Sequence, residues 1–447
     1  MTINDLEAAA AAIVEAEAVG GHLDDLMAAM AGYFRRWEPR AQARKYVRAL
    51  MSDLPRKNCW SIAEHAGDAT PGRMQHLLER AKWDTMGAMA AVRGFVCERL
   101  DDGDAVAILD ESGQEKKGTA TIGVKRQYVG CAGRVSNAIN VVYCSFATKA
   151  GHALVGARLY LPAEQATDEG RRKQARVPED LVFATKPELG RQILAELHAE
   201  GRLPAWVTGD EVYGRDPGLR TWLEKPQVGT GYVLGISTST PIAFTKNTKA
   251  RADSALKTLI ASDWVIDSCG AGSKGERRYA WAWIGTADPR RHLLIRRSLV
   301  PGAKGIRELA FYLCFVPEGR PVTLRILVMI AGRRWPVEED FQTGKDAFGL
   351  DHSQVRTYPA LLRHLVLTMA ALAVCAVTAA QARTTTGSTP PPPTSPDDIP
   401  PDDPGLIPLT VAEVKHLVNL LTRSRHGLEH HLSWHTWRRR HGARQTE

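Results

Sequence analysis

Three acids far apart in this chain are each held in a local pattern that restricts where a fold can place them. Asp110 follows the apolar run Ala105–Leu109, and Asp210 follows Ala205-Trp206-Val207-Thr208-Gly209. Short apolar runs of this kind read as buried strands, so both acids are expected to project from a sheet edge. Glu338 lies in Arg334-Trp335-Pro336-Val337-Glu338, with Lys345 beyond it. At about 3.6 residues per helical turn, Arg334, Glu338 and Lys345 share one stripe. A carboxylate between two cations suits a divalent metal beside a phosphate backbone. Turn, cap or solvated-face roles account for each acid taken singly. Glu339 and Asp340 compete with Glu338, but only Glu338 falls on the stripe.

The chain has 447 residues, 44% of them hydrophobic, which is enough for two or three domains with their own cores. Its net charge of +8 is unevenly spread. Residues 31–60 carry Arg35, Arg36, Arg40, Arg44, Lys45, Arg48, Arg56 and Lys57 against Glu38 and Asp53, whereas the first thirty residues hold only acids. That asymmetry favours a polyanionic partner, above all nucleic acid. The seven cysteines form no C-x-x-C pair, which argues against a disulfide framework or structural zinc and for a reducing cytoplasm. No basic, then apolar, leader is present at the N-terminus. Leu365–Ala382 is uncharged and near the length of a membrane span, but its Ala/Val/Thr composition favours a buried core helix.

Residues 1–100 read as helical, with Leu26, Met27, Met30 and Phe34, then Trp37, Tyr46, Val47 and Leu50, at helical spacing. Ser61–Gly67 is expected to be a short helix. Thr70 and Pro71 would then start a second one that leaves Arg73, Gln75, Arg80 and Lys82 on its outer face, the layout of a helix-turn-helix. Strands are expected at Thr119–Val124, Ile139–Phe146, Ala153–Leu161, Tyr232–Ile236, Tyr279–Ile284, His292–Leu299 and Phe311–Val316. Residues 187–201 read as a helix, and the helix bearing Glu338 is expected to begin near Thr323 and break near Gly349. These elements together predict an α/β core with a mixed sheet. Residues 384–405 are rich in proline, a linker composition. An amphipathic helix at Val411–Leu421 precedes a basic aromatic end, in which Trp434, Trp437, Arg438, Arg439 and Arg440 suit phosphate contact and stacking.

Acids on adjacent strands plus one on a helix suit phosphodiester cleavage by two divalent ions about 3.5–4 Å apart. The motifs around them go further. They are Leu109-Asp110-Glu111-Ser112-Gly113 with Lys117-Gly118, Val124-Lys125-Arg126-Gln127-Tyr128, Arg158-Leu159-Tyr160-Leu161-Pro162 and Thr185-Lys186-Pro187-Glu188-Leu189. Gly209-Asp210-Glu211-Val212-Tyr213-Gly214, Arg333–Glu338, Lys345, Gly349–His352 and Val355-Arg356 complete the set. In this order they resemble the DDE transposases of insertion sequences, closest to the IS701 group within the IS4-like superfamily.

The resemblance spans roughly residues 20–380, and the Leu432–Arg440 tail is also typical of the group. It implies an α/β fold: an RNase H-like catalytic core at 101–227 and 323–383, with a β-strand insertion at 228–322. An all-α N-terminal domain with a possible helix-turn-helix (1–100) precedes the core, and the Pro-rich linker (384–405) and a basic tail (406–447) follow it. It places catalytic, metal-binding acids at Asp110, Asp210 and Glu338, with two Mg2+ ions for which Mn2+ can substitute. DNA contacts are implied at Arg334 and Lys345 and expected at Arg73, Arg80, Lys82, Arg438, Arg439 and Arg440. Trp281 or Trp283 is a candidate for stacking on a flipped base, although core packing accounts for both. The superfamily pattern Tyr-x2-Arg-x3-Glu-x6-Lys maps onto Arg334, Glu338 and Lys345, but Ala331 stands at the tyrosine position, so a hairpin intermediate does not carry over.

The implied activity is a transposase that binds its element's terminal inverted repeats, hydrolyses strands and joins the 3′-OH ends to target DNA. Its partners would be double-stranded DNA and a second copy of the chain in the synaptic complex, in the bacterial cytoplasm at the nucleoid and away from any membrane. The alternatives are a catalytically silent, domesticated or defective DNA-binding copy, and a membrane-associated protein.

Overall fold

The computed structural model describes residues 18–130, 133–272, 275–302, 305–385, 409–422 and 426–443. The helical period of the first hundred residues gives α1 over 18–29 and α2 (Trp37–Leu50). Asn58 opens α3 (Cys59–His65) by accepting the Trp60 and Ser61 backbone N–H groups. After a turn come α4 (Gly72–Glu79) and then α5 (Thr85–Leu100), which Asp84 caps. Next are β1 (Val106–Glu115), β2 (Lys125–Val129), β3 (Arg134–Ala147) and β4 (His152–Tyr160), followed by α6 (Ala163–Thr167), α7 (Glu169–Gln174) and α8 (Lys186–Ala199). The Thr185-Lys186-Pro187-Glu188 motif is itself a helix start, a Thr185/Glu188 capping box with proline in the first turn.

The chain continues through β5 (Trp206–Gly209), α9 (Glu211–Gly214), α10 (Pro217–Leu223), β6 (Gly231–Ile236), β7 (Pro241–Ala243) and β8 (Lys249–Arg251). Four long strands follow: β9 (Val265–Gly272), β10 (Gly275–Gly285), β11 (Arg291–Ser298) and β12 (Leu309–Phe315). The last helices are α11 (Leu324–Gly332), α12 (Trp335–Phe348), α13 (Tyr358–Thr385), α14 (Val411–Thr422) and α15 (Leu428–Ala443).

All the long strands belong to one mixed sheet of ten strands, ordered β2-β3-β1-β5-β6-β12-β11-β10-β9, with β4 also on β3. β1 runs antiparallel to β3 and parallel to β5, and β5 is parallel to β6. β12 then adds to β6 antiparallel, so β9–β12 extend the same sheet, while β7 and β8 pair with each other in a separate two-stranded sheet. α12 packs on the face that carries Tyr143, whose ring meets Phe341. α8 packs on the other face, where Ile193 presses against Gly156 and Gly190 against Leu109. The apolar window of α13 is wholly buried, packed on α5, β4, α2 and α12; this is the core helix expected at Leu365–Ala382.

Several local expectations give way to tertiary context. Thr119–Val124 is a turn with Gly123 at φ +79°, and the strand begins only at Lys125. β1 does not end at Asp110 but runs on to Glu115, because β3 pairs with its whole length. The helix expected from Thr323 is two helices: α11 is capped by Thr323, and Pro336 in the first turn of α12 marks the restart. Gly332 at the break lies so close to the Cys269 carbonyl that a Cβ there would collide with it. α4 starts at Gly72, with Pro71 rather than Thr70 at the N-cap, and ends at Glu79. Arg80 and Lys82 therefore lie beyond that helix rather than on its outer face. Trp37, read as part of the apolar pattern, is 74% exposed. Thr384 and Thr385 finish α13, and the rest of the Pro-rich stretch lies outside the described residues, as do residues 1–17.

Two substitutions test this framework. A Cβ on Gly214 would run into the Gly235 carbonyl oxygen, so α9 can lie against β6 only with glycine there. Gly214→Ala is expected to cost about 2–3 kcal/mol in urea unfolding by overpacking. The C-terminal helix is anchored by Trp434, which is fully buried and donates its indole N–H to the Asp68 carbonyl at 2.9 Å. Trp437 meets Trp60 of α3 edge-on at 4.8 Å. Trp434→Ala removes the anchor, and limited proteolysis is expected to cut within α15 well before the rest of the chain.

Candidate active site

Strand pairing brings the first two acids together. In the parallel register of β1 and β5, Leu109 lies opposite Gly209, so Asp110 and Asp210 both follow the last paired residues. Asp110 sits across from Tyr143 on the face covered by α12 and is 8% exposed. Asp210 caps α9, accepting the Val212 N–H at 2.9 Å, so the turn role that its sequence allows is also present. Glu338 stands in the first turn of α12, and Arg334 occupies that helix's N-cap position.

One guanidinium nitrogen joins these pieces. Arg334 Nη1 lies 3.0 Å from Asp110 Oδ2 and 3.4 Å from Glu338 Oε1. Burial pushes the Asp110 carboxyl up to about 7; Arg334 opposes this, while Asp210 and Glu338 add to it. Asp210 is raised by burial and by Glu111. Burial would lower the Arg334 guanidinium, but Asp110, Glu338 and Asp210 outweigh it and hold it above its ordinary value. A half-buried cluster of acids thus shares a single cation.

The neighbouring acids have other partners. Glu339 lies 3.3 Å from His152 Nε2 and accepts the Trp335 indole N–H at 3.1 Å. Asp340, 2% exposed, lies 2.9 Å from His152 Nδ1 and accepts the Ser145 hydroxyl. Of the three consecutive acids, only Glu338 meets Arg334. Burial alone would depress the His152 imidazole, but Asp340 and Glu339 push it up to about 10.

Sequence reading missed His152, and it missed a second group on the far face of β1. There Glu111 is 2.6 Å from Lys186 Nζ and accepts the Tyr213 hydroxyl at 3.2 Å. Strand alternation was the available signal, since Glu111 must face away from Asp110.

The other sequence-predicted residues lie elsewhere. Lys345 is half-buried, two turns along α12 from Glu338. Arg73, Arg80, Lys82, Arg439 and Arg440 are exposed outside the acid cluster. Arg438 pairs with Glu64 and lies over the Trp434 ring. Trp281 is 1% exposed, donates to the Asp267 carbonyl at 3.3 Å and packs against Tyr279 and Tyr312, so the structure places it in the core. Trp283 stacks on His292 with ring centroids 4.9 Å apart.

Carboxylate oxygens are the hard donors that Mg2+ and Mn2+ prefer. Among the described residues, no three His, Cys, Asp or Glu side chains stand close enough to form a ready cage. Asp110 and Glu338 meet on the Arg334 guanidinium, with Asp210 close by.

Acids on two adjacent strands thus lie near one from a helix, and the family comparison gives the class of protein. Residues 29–254 match the model described as DDE superfamily endonuclease, and residues 184–374 match that of the transposase DDE domain. The chain belongs to the DDE superfamily of endonucleases.

The probable transposase for insertion sequence element IS701 of Microchaete diplosiphon is similar, 30% identical over 178 residues. That match covers 39% of this chain and 43% of the relative, so it spans less than half of either. The cryo-EM structure of the piggyBac transposase synaptic complex with hairpin DNA aligns at a TM-score of 0.41 and 10% identity. It covers 91% of this chain and 77% of that one, a likeness too loose to carry an argument.

Proposed function

We propose that this chain is a transposase that cuts DNA at the ends of its own element and joins the freed 3′-OH ends to target DNA. The observation that carries the reading is the single guanidinium shared by Asp110 and Glu338 at the end of β5, beside Asp210. Divalent ions held by Asp110, Asp210 and Glu338, two of Mg2+ or Mn2+, would supply Lewis acidity at the scissile phosphate. Once released from the acids, Arg334 reaches a phosphate oxygen as a charge-assisted donor, and Lys345 extends the same cationic stripe.

The strand order β4-β3-β1-β5-β6, three antiparallel strands followed by a parallel pair, supports an RNase H-like core, with β7–β12 as its insertion. In this reading the helices up to residue 100 hold the DNA end, α3 and α4 forming the helix-turn-helix with Arg73 on its exposed side. Two copies act together, because both ends of an element must be cut, and they act where the chromosome is.

The test is incubation of the purified chain and Mg2+ with a labelled duplex spanning the junction of the element's terminus and its flank. Nicking at the junction that disappears in EDTA is expected. Binding without nicking in either Mg2+ or Mn2+ would instead identify a catalytically silent DNA-binding copy.

A further inference from the structure

The helical region carries a second cationic feature, apart from the acid cluster. A hollow of about 600 Å³ opens between the 31–35 turn, the chain leaving α4, and the start of α13. Tyr33, Arg35, Arg80, Lys82, Trp83 and Arg363 line it. Its floor is built rigidly. Phe34 and Trp83 form an isolated bridge and stack at 5.0 Å, and the Trp83 indole N–H donates to the Leu77 carbonyl at 3.1 Å. The lining acid, Asp84, is engaged as the cap of α5, accepting the Met86 and Gly87 N–H groups at 3.0 Å.

The cations there are not ion-paired. None of the ion pairs among the described residues involves Arg35, Arg80, Lys82 or Arg363. Arg363 is the informative one, being 8% exposed. It donates to the Leu78 carbonyl at 2.8 Å and lies over the Trp83 ring at 5.3 Å. Its Nε has no partner, and nearby Glu79 accepts the Thr357 hydroxyl instead. Burial pulls the Arg363 guanidinium below its ordinary value, and Glu79 offsets this only in part, so a nearly buried guanidinium is under-compensated in a hollow that three more cations line. An anion in the hollow would complete that compensation. Two further facts favour a phosphodiester over a carboxylate: the number of cations that line the hollow and the aromatic floor beside them.

We propose that this hollow holds a backbone phosphate of bound DNA, gripped by Arg35, Arg80, Lys82 and Arg363 at a distance from the catalytic acids. The assignment rests on the DNA-binding reading above, and it makes Arg80 and Lys82 parts of a pocket rather than of a recognition helix. Such a contact fixes register on the duplex without reading its sequence.

The test uses the full chain with Arg80→Gln and Lys82→Gln together, both exposed positions beyond the end of α4. Arg36→Gln with Arg40→Gln, exposed cations outside the hollow, removes the same charge as a control. Affinity for a labelled terminal duplex is measured by fluorescence anisotropy across a salt series, and inorganic phosphate binding is measured by calorimetry. Each lost phosphate contact is expected to reduce the slope of log K against log salt by about one. The pocket variant should therefore lose between one and two units of slope, for every duplex sequence, while the control loses distinctly less. Equal losses in the two variants, or none in the pocket variant, overturn the pocket while leaving DNA binding in place. Wild-type protein that binds no duplex at any salt overturns the transposase reading. Inorganic phosphate bound by that same protein and lost in the pocket variant would then mark a free-phosphate site and overturn the nucleic-acid assignment.

Discussion

Replacing Glu338 by glutamine is expected to reduce junction nicking about a thousandfold or more while leaving duplex binding within a few-fold of wild type. The side chain is 47% exposed, so the fold does not depend on it, and glutamine keeps its shape and helix propensity. What is lost is one negative oxygen from the set that faces Arg334 and Asp110. A cation clamp on a phosphoryl transition state is worth several kcal/mol, and about 1.4 kcal/mol corresponds to each factor of ten in rate. Asp110→Asn and Asp210→Asn should behave alike. Glu339→Gln, which touches His152 and Trp335 instead, should retain nicking within about tenfold. Nicking at the wild-type rate by Glu338→Gln, or abolished equally by Glu339→Gln, would remove Glu338 from the reaction.

The second large effect falls on stability. Asp340 is on the buried side of α12, where it holds the His152 imidazole and the Ser145 hydroxyl. Asp340→Ala would leave the buried His152 Nδ1 without its carboxylate, with Glu339 alone on the imidazole and only the Ala153 carbonyl, at 3.3 Å, for the Ser145 hydroxyl, a loss of about 3 kcal/mol in urea unfolding. The same cluster gives a pH signature. His152 is held protonated up to about 10 in the folded chain, above the value of about 6.5 for an unfolded histidine. Its contribution is therefore complete below about pH 6.5 and is lost as the pH rises through about 10. Wild-type stability should decline across that window, and His152→Asn should lack this component of the decline. Identical pH profiles for the two proteins would show that His152 is not held as a cation.

Much of this molecule is legible residue by residue. The apolar runs at Val106–Leu109 and Trp206–Gly209 are strands, and the Thr185/Glu188 box starts α8. Gly349, at φ +70°, ends α12 where its glycine predicts. These features depend on neighbours a few residues away. Asp110 and Asp210 could be singled out in the same way, from the apolar runs that precede them, and Arg334 and Glu338 from the helical stripe they share with Lys345. The continuation of β1 past Asp110 could not be read, because it comes from pairing with β3. The alternating pattern of β10 left both faces open for Trp281 until Tyr312 from β12 closed over it. Nothing near Trp434 announces that its indole N–H bonds to Asp68, 366 residues earlier.

The sequence by itself determined the order and type of most elements, and it placed three acids and an arginine where strands and a helix could present them. Helix spacing already pairs Glu338 with Arg334, four residues before it, but only the tertiary structure decided that Arg334 also meets Asp110 and that Glu339 and Asp340 meet His152. Consecutive helical residues point about 100° apart, so each carboxylate takes whatever lies on its own side. β4 supplies His152 beneath Glu339 and Asp340, 188 residues away from the latter in sequence, and β1 supplies Asp110 beside Glu338 through Arg334. Side-chain direction is a local property of the helix, but the partner in that direction comes from the fold.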